Sequence, residues 1–400
     1  MQSMARAQQE VLGSERNIWP GELAFSEVTY LDRLELIQKE LLTRGICGAL
    51  IFDPENMYWL TGYQTIGYFT FQTMFVPVSG KPIMITRVVN RDMALALPTI
   101  GDAVSVFDTQ DHVDVLESYL KETTPTGRIG IETTSNYLNI HDHSRLIDRL
   151  GDRFVPFVGV IGPYRMVKSE DELDRMRAAA RAVEAGMDAA LHTIALGKTD
   201  NDLAAALYQG SIAAGSEYIG HPPMVVAGPR SELCFALWKR NTIQKGDVVL
   251  LEGAGCIDRY HAMMSRSAVV GKATDEHKAT ADALIEILET AIETIRPGIT
   301  SGEVDFACRS KVEKRGLGRY FKSRTAYGIG IGFPPNWAEG HLYSLRPNDP
   351  MVLQPNMTFH VIPTMFRKGF GMAISDSIRV TQDGCEVLTN YPRHLIEVEV

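Results

Sequence analysis

The chain has 400 residues, 45% of them hydrophobic and 22% charged, a balance that indicates a soluble globular protein too long for one ordinary core and therefore built as two domains. A formal charge of -9 and a pI near 5.6, with no Lys/Arg-rich run, leave no footprint for nucleic acid and favour a small molecule as partner. The five cysteines, Cys47, Cys234, Cys256, Cys308 and Cys385, are odd in number and scattered without a CxxC pair, so they suggest neither a disulfide framework nor a zinc site and fit a reducing cytoplasm.

In chain order, residues 1–20 carry charges and no apolar core of a secretion signal, and no later stretch reaches the roughly 18 apolar residues of a membrane span. A cytoplasmic protein with no membrane association is expected. Residues 31–44 place apolar side chains at helical spacing, and Cys47-Gly48-Ala49-Leu50-Ile51-Phe52 reads as a buried strand ended by Asp53-Pro54. Strand-like runs at 73–78, 82–86, 103–107 and 128–131 then alternate with helical stretches at 91–96, 113–123 and 140–150. This pattern predicts an α/β N-terminal domain over residues 1–160. Arg165-Met166-Val167-Lys168-Ser169-Glu170-Asp171-Glu172-Leu173 marks the boundary, because Ser169 with Glu172 forms a capping-box pattern that opens a helix running to about residue 194. Helices at 200–215 and 275–295, with strand runs at 225–227, 247–252, 264–270, 357–363 and 371–380, predict an α+β domain over residues 161–400. Helices on one side of a curved antiparallel sheet satisfy that order.

Glu252 is the first candidate for chemistry. It ends an apolar strand, and the small residues Gly253-Ala254-Gly255 after it would let a ligand approach the backbone closely. A carboxylate so placed can be a nucleophile or a base, and it can equally cap a loop or pair with an arginine.

Three segments set Glu252 in a wider frame. They are Val249-Leu250-Leu251-Glu252-Gly253-Ala254-Gly255 with Ser265-Arg266-Ser267, then Tyr327-Gly328-Ile329-Gly330-Ile331-Gly332, then Leu353-Gln354-Pro355-Asn356-Met357-Thr358-Phe359 with Pro363 and Asp376. Their order and spacing resemble the creatinase/aminopeptidase family, the pita-bread fold, whose peptidases hold two metal ions with two Asp, one His and two Glu. The resemblance puts these ligand positions at Glu252, Met263, Tyr327, Ile362 and Ser375. Only one of the five is a carboxylate, so the resemblance implies a site that works without metal or does not work. No cofactor is implied.

A closer resemblance is to the metal-free ectoine hydrolase branch. It is carried by Glu252-Gly253-Ala254-Gly255-Cys256 leading to Arg259-Tyr260-His261, by Gly330-Ile331-Gly332-Phe333-Pro334-Pro335-Asn336-Trp337-Ala338-Glu339, by Ser344-Leu345-Arg346-Pro347 and by Asn356-Met357-Thr358-Phe359-His360. The branch implies that Glu252 attacks the ring carbon of a cyclic amidine and forms a covalent intermediate released by water. The family's proton-transferring His falls on Phe235, which cannot move a proton. His261, His360 and His221 are then the candidates for acid-base work, with His261 first because it lies close to Glu252 along the predicted hairpin. Trp337, Phe359, Tyr68, Phe69 and Tyr63 are candidates for an aromatic wall facing a compact cation, although such residues are more often core. Glu339 is a candidate to pair with an amidinium nitrogen, Tyr327 to orient substrate or water, and Arg346 or Arg87 to hold a carboxylate.

The resemblance also implies a homodimer in which the aromatic stretch 63–71 of one subunit closes the site of the other. Two other readings stay open: a creatinase-like amidinohydrolase, which lacks support at Phe235, and a non-catalytic binding or scaffold protein on the same fold. A metal-dependent aminopeptidase or prolidase would need the missing carboxylates.

Overall fold

The computed structural model describes residues 18–399, so the reading of residues 1–20 lies almost wholly outside the described residues. The chain divides into two compact units, Met1–Tyr164 and Arg165–Val400. In the first, the helix Glu27–Thr43 is capped by the Ser26 side chain and buries Tyr30, Leu34, Ile37 and Leu41, one apolar stripe at helical spacing. Six strands form the sheet, in the order Asp102–Val106, Ile83–Arg87, Gln72–Pro77, Ile46–Ile51, Arg128–Ile131 and Phe154–Pro156. It is a mixed sheet, since Ile46–Ile51 runs antiparallel to Gln72–Pro77 and parallel to Arg128–Ile131. The short helix Pro54–Thr61 was not foreseen in the sequence. Pro54 sits in its first turn, where no backbone N–H is needed.

Four capping boxes open the helices of the second unit. Ser169 with Glu172 starts Glu170–Thr193, Thr199 with Asp202 starts Asp200–Ala213, Thr274 with His277 starts Asp275–Thr294, and Thr300 with Glu303 starts Ser301–Lys314. The sheet runs in the order Cys385–Val387, Asp376–Val380, Thr358–Val361, Ala326–Phe333, Tyr260–Val270, Val248–Ile257 and Met224–Ala227, with short strands added at its sides. The first helix pair packs Val183, Met187, Leu203 and Leu207 against Val249, Leu251, Met264 and Ala268. The second pair packs Leu284, Ile287, Val304 and Cys308 against Phe359, Val361 and Ile378.

The period of two in Val248–Ile257 decides where Glu252 points. Val249 and Leu251 face the first helix pair, whereas Leu250 faces the other way, against Val226 and Ala373, and Glu252 shares its side. The expectation that Gly253-Ala254-Gly255 forms a loop open to ligand is corrected here, because these residues continue the strand. A Cβ on Gly255 would lie 2.0 Å from the Ala179 carbonyl oxygen, so that glycine serves the close crossing of the helix Glu170–Thr193.

Candidate active site

Glu252 stands opposite Met224 on one neighbouring strand and Ser265 on the other. It is 3% exposed, and its Oε1 has no hydrogen-bond partner among the described residues. Burial alone pushes its carboxyl from the ordinary 4.5 up to about 8. A cavity of about 370 Å³ opens onto this carboxyl, and Tyr327, Trp337, His221, Phe235 and Arg324 share its lining.

The antiparallel register of Ala326–Phe333 with Thr358–Val361 pairs Tyr327 directly with His360, so the two side chains leave the same face. Tyr327 Oη lies 2.7 Å from His360 Nδ1, and His360 Nε2 lies 2.7 Å from Ser375 Oγ. Trp337 donates its Nε1–H to Tyr327 Oη at 3.3 Å. Burial, reinforced by the Arg266 charge, lowers the His360 imidazole to about 3, and burial with the nearby Glu252 charge raises the Tyr327 phenol well above its usual range. Both groups are therefore neutral near pH 7. In one arrangement the Tyr327 hydroxyl donates to Nδ1 while Nε2–H donates to Ser375. In the other tautomer Nδ1–H donates to Tyr327, whose own proton is then free to face the cavity. The two differ by a shift of protons along the chain, which is what a relay requires.

The other sequence candidates divide. His221 lines the cavity with its ring 4.7 Å from that of Trp337. His261 does not reach it: Nε2 accepts the Gly220 N–H at 3.0 Å and Nδ1 donates to the Arg259 carbonyl at 2.9 Å, so both nitrogens are committed to backbone. Burial and the Arg259 charge hold its imidazole well below the usual value. Glu339 is fully enclosed between Arg165 at 2.7 Å and Lys168 at 2.6 Å and serves the framework. Phe359 is core, edge-on to Tyr343. Tyr68 and Phe69 belong to the first unit, where Tyr68 is buried edge-on against Tyr137 and Phe69 is exposed. Tyr63 is buried in that unit as well. Arg87 and Arg346 are occupied by Asp108 and Asp349 respectively. The sequence reading missed Arg324, Cys234 and Ser375 as neighbours of the site. Ser375 was named only as a lost ligand position, and its hydroxyl instead steadies His360.

Two hard divalent ions do not fit this donor set. Glu252 is the single carboxylate among the five positions, and Met263, Tyr327, Ile362 and Ser375 offer a thioether, a phenol, an alkyl group and a hydroxyl. Among the described residues no cluster of three or more His, Cys, Asp or Glu is arranged to hold a metal ion.

Known proteins are similar to this chain over most of its length. The Metallopeptidase family M24 pattern matches residues 174–382, and the Creatinase/Prolidase N-terminal domain pattern matches residues 33–167. Ectoine hydrolase of Halomonas elongata is 29% identical over 393 residues, covering 93% of this chain and 98% of that protein. A probable dipeptidase, PepE, of Mycobacterium tuberculosis is 27% identical and covers 95% of this chain and all 100% of its own. Among solved structures, a prolidase from Thermococcus sibiricus superposes with a TM-score of 0.83 at 25% identity, over 92% of this chain and 99% of that one. With the fold, the strand register at Glu252 and these matches in agreement, the chain belongs to metallopeptidase family M24, a creatinase-type N-terminal domain followed by a pita-bread domain.

Proposed function

We propose that this protein is a metal-independent hydrolase that opens a C–N bond of a small cyclic amidine of the ectoine or hydroxyectoine type, through a covalent intermediate on Glu252. The observation that supports this most is the carboxyl of Glu252, buried at the cavity floor with one oxygen unpartnered and no cation beside it. An amidinium is a planar, delocalised cation with an electrophilic carbon. On entering, it supplies the missing counter-ion, lowers the carboxyl from its raised value and turns it into the attacking carboxylate. A Glu252 oxygen bonds to the amidine carbon, the ring C–N bond breaks, and the departing nitrogen keeps the electron pair and takes a proton through Tyr327. Water then adds to the carbon of the resulting imidate, the C–O bond to Glu252 breaks, and the chain is left as an open amide. One amidine and one water give one amide and one amine, and Tyr327 with His360 returns the proton. Similarity to the Halomonas elongata ectoine hydrolase supports the choice of substrate class.

The test is a panel of ectoine, hydroxyectoine and creatine, assayed by mass for gain of one water, before and after chelation. Turnover of a cyclic amidine that chelators leave unchanged is expected. Turnover of creatine alone would favour the amidinohydrolase reading. Failure of every member would favour the non-catalytic binding protein, and an activity abolished by chelation, with metal found by elemental analysis, would end the metal-independent mechanism.

We further propose a homodimer in which the stretch 63–71 covers the partner's cavity. Ile66 is 64% and Phe69 78% exposed, more apolar surface than a free loop usually shows. Sedimentation at micromolar concentration should give a dimer, and a monomer would contradict the arrangement.

A further inference from the structure

The cavity wall carries an ionisable carboxyl, Glu252, and a guanidinium, Arg324, and among the described residues neither has an oppositely charged partner. Glu252 lies at the floor, and burial is the whole cause of its raised carboxyl, with no cation contributing. Arg324 lies exposed at the rim, just before the strand Ala326–Phe333, and no carboxylate pairs with it among the described residues. Fully buried charges elsewhere in this unit include matched ones: Arg266 with Asp376 at 2.9 Å, and Glu339 with Arg165 and Lys168. The cavity contrasts with these pairs.

The Arg324 guanidinium is held in place although its charge is unmatched. Its NH1 donates to the Gly340 carbonyl at 3.2 Å and to Ser344 Oγ at 3.1 Å, and its centre lies 5.2 Å from the Tyr327 ring centroid. Gly340 makes the recess, since a Cβ there would lie 2.6 Å from NH2. Nε and NH2 remain, the edge of the fork that can donate in parallel to both oxygens of a carboxylate. The neighbouring Arg346 is already paired with Asp349 at 2.7 Å, so among the described residues Arg324 is the unmatched arginine at the rim, suited to a singly charged group.

We infer that Arg324 anchors a substrate carboxylate, so that the cavity takes a compact zwitterion with its cationic head at Glu252 and its carboxylate at the rim. This rests on the reading of Glu252 as the residue that faces the cationic head, and it adds a specificity determinant that the pattern of lost metal ligands does not contain. The charges of the ligand would complement those of the wall, the condition under which electrostatics discriminates between ligands.

The test compares acids with their neutral amides by calorimetry on the full-length protein. The probes are ectoine and its carboxamide, and, without an amidine, alanylproline and its C-terminal amide. Wild type is expected to bind ectoine about 10–100-fold more tightly than the carboxamide, the range for hydrogen bonds to a charged group. Arg324→Met should bring ectoine down to the level of the carboxamide without changing the latter, and Arg324→Lys should restore part of the difference. Because Arg324 is exposed, Arg324→Met should keep the wild-type melting temperature. If alanylproline shows the acid preference and loses it in Arg324→Met while ectoine does not bind, the anchor stands and the cyclic-amidine reading falls. Equal binding of acid and amide, an acid preference that survives in Arg324→Met, or no binding of either acid would overturn the anchor.

Discussion

Glu252→Gln should lower turnover of the natural substrate by about 10⁴–10⁶-fold, the scale on which removal of a nucleophile is felt, while substrate binding stays measurable. Glutamine keeps the size of the side chain and resembles the protonated carboxyl that burial favours in the empty cavity, so the wall should be little disturbed. On the proposed mechanism, what disappears is the oxygen that would bond to the amidine carbon. Single-turnover kinetics, with a mass search for the Glu252 adduct, checks this: wild type should show the adduct and the variant none. Near-normal turnover by Glu252→Gln would remove the covalent mechanism.

The second large effect is expected at the relay. Tyr327→Phe keeps the ring that packs against His360 and removes the one oxygen that joins Trp337, His360 and the cavity. Loss of a positioned proton donor typically costs about 10²–10⁴-fold, and kcat should carry most of that loss. His360→Ala should fall in the same range but also leaves a hole in a fully buried region, which makes Tyr327→Phe the cleaner comparison. His261→Ala provides the contrast. Its nitrogens serve the Gly220 and Arg259 backbone, so melting temperature should drop while the pH profile of the surviving enzyme keeps its shape. A Tyr327→Phe rate within about threefold of wild type, far below the general acid-base scale, would exclude the relay.

How far the site was legible depended on the range of the signal. The apolar strand leading into Glu252 and the Ser169–Glu172 cap are local patterns and were read directly, but the strand's end was placed at Glu252 whereas it runs on to Ile257. The helix Ser301–Lys314 was overlooked although Thr300 and Glu303 print the same capping box as Ser169 and Glu172. His261 was preferred to His360 on proximity along the hairpin, and the register shows why that misled. Glu252 pairs with Ser265 whereas His261 pairs with Cys256, four residues further along, a displacement of about 13 Å at the usual strand rise. The contact of Tyr327 with His360 joins strands 33 residues apart in sequence; the resemblance marked each residue separately, and nothing in the sequence pointed to their contact. Arg324 had no motif to mark it, and the arginines singled out in its stead proved to be paired. An unmatched charge becomes visible only when every neighbour is known.

The uncompensated carboxyl has a consequence for the fold's tolerance of alkali. An unfolded chain would release the Glu252 proton near 4.5, whereas the folded protein retains it until about 8. With the folded value the higher one, the native state is undisturbed by this group below pH 4.5, loses stability progressively as pH rises, and bears the full penalty above about 8, with a ceiling of ~5 kcal/mol. Glutamine does not titrate, so the melting temperature of Glu252→Gln should nearly match wild type at pH 5 and exceed it by a widening margin up to about pH 8, where the gap levels off. A gap that stays constant from pH 5 to 8 would mean that the carboxyl is not held protonated. Glu252→Gln should thus be the hardier protein in mild base, because the enclosure that raises the Glu252 carboxyl makes its ionised form costly to the fold.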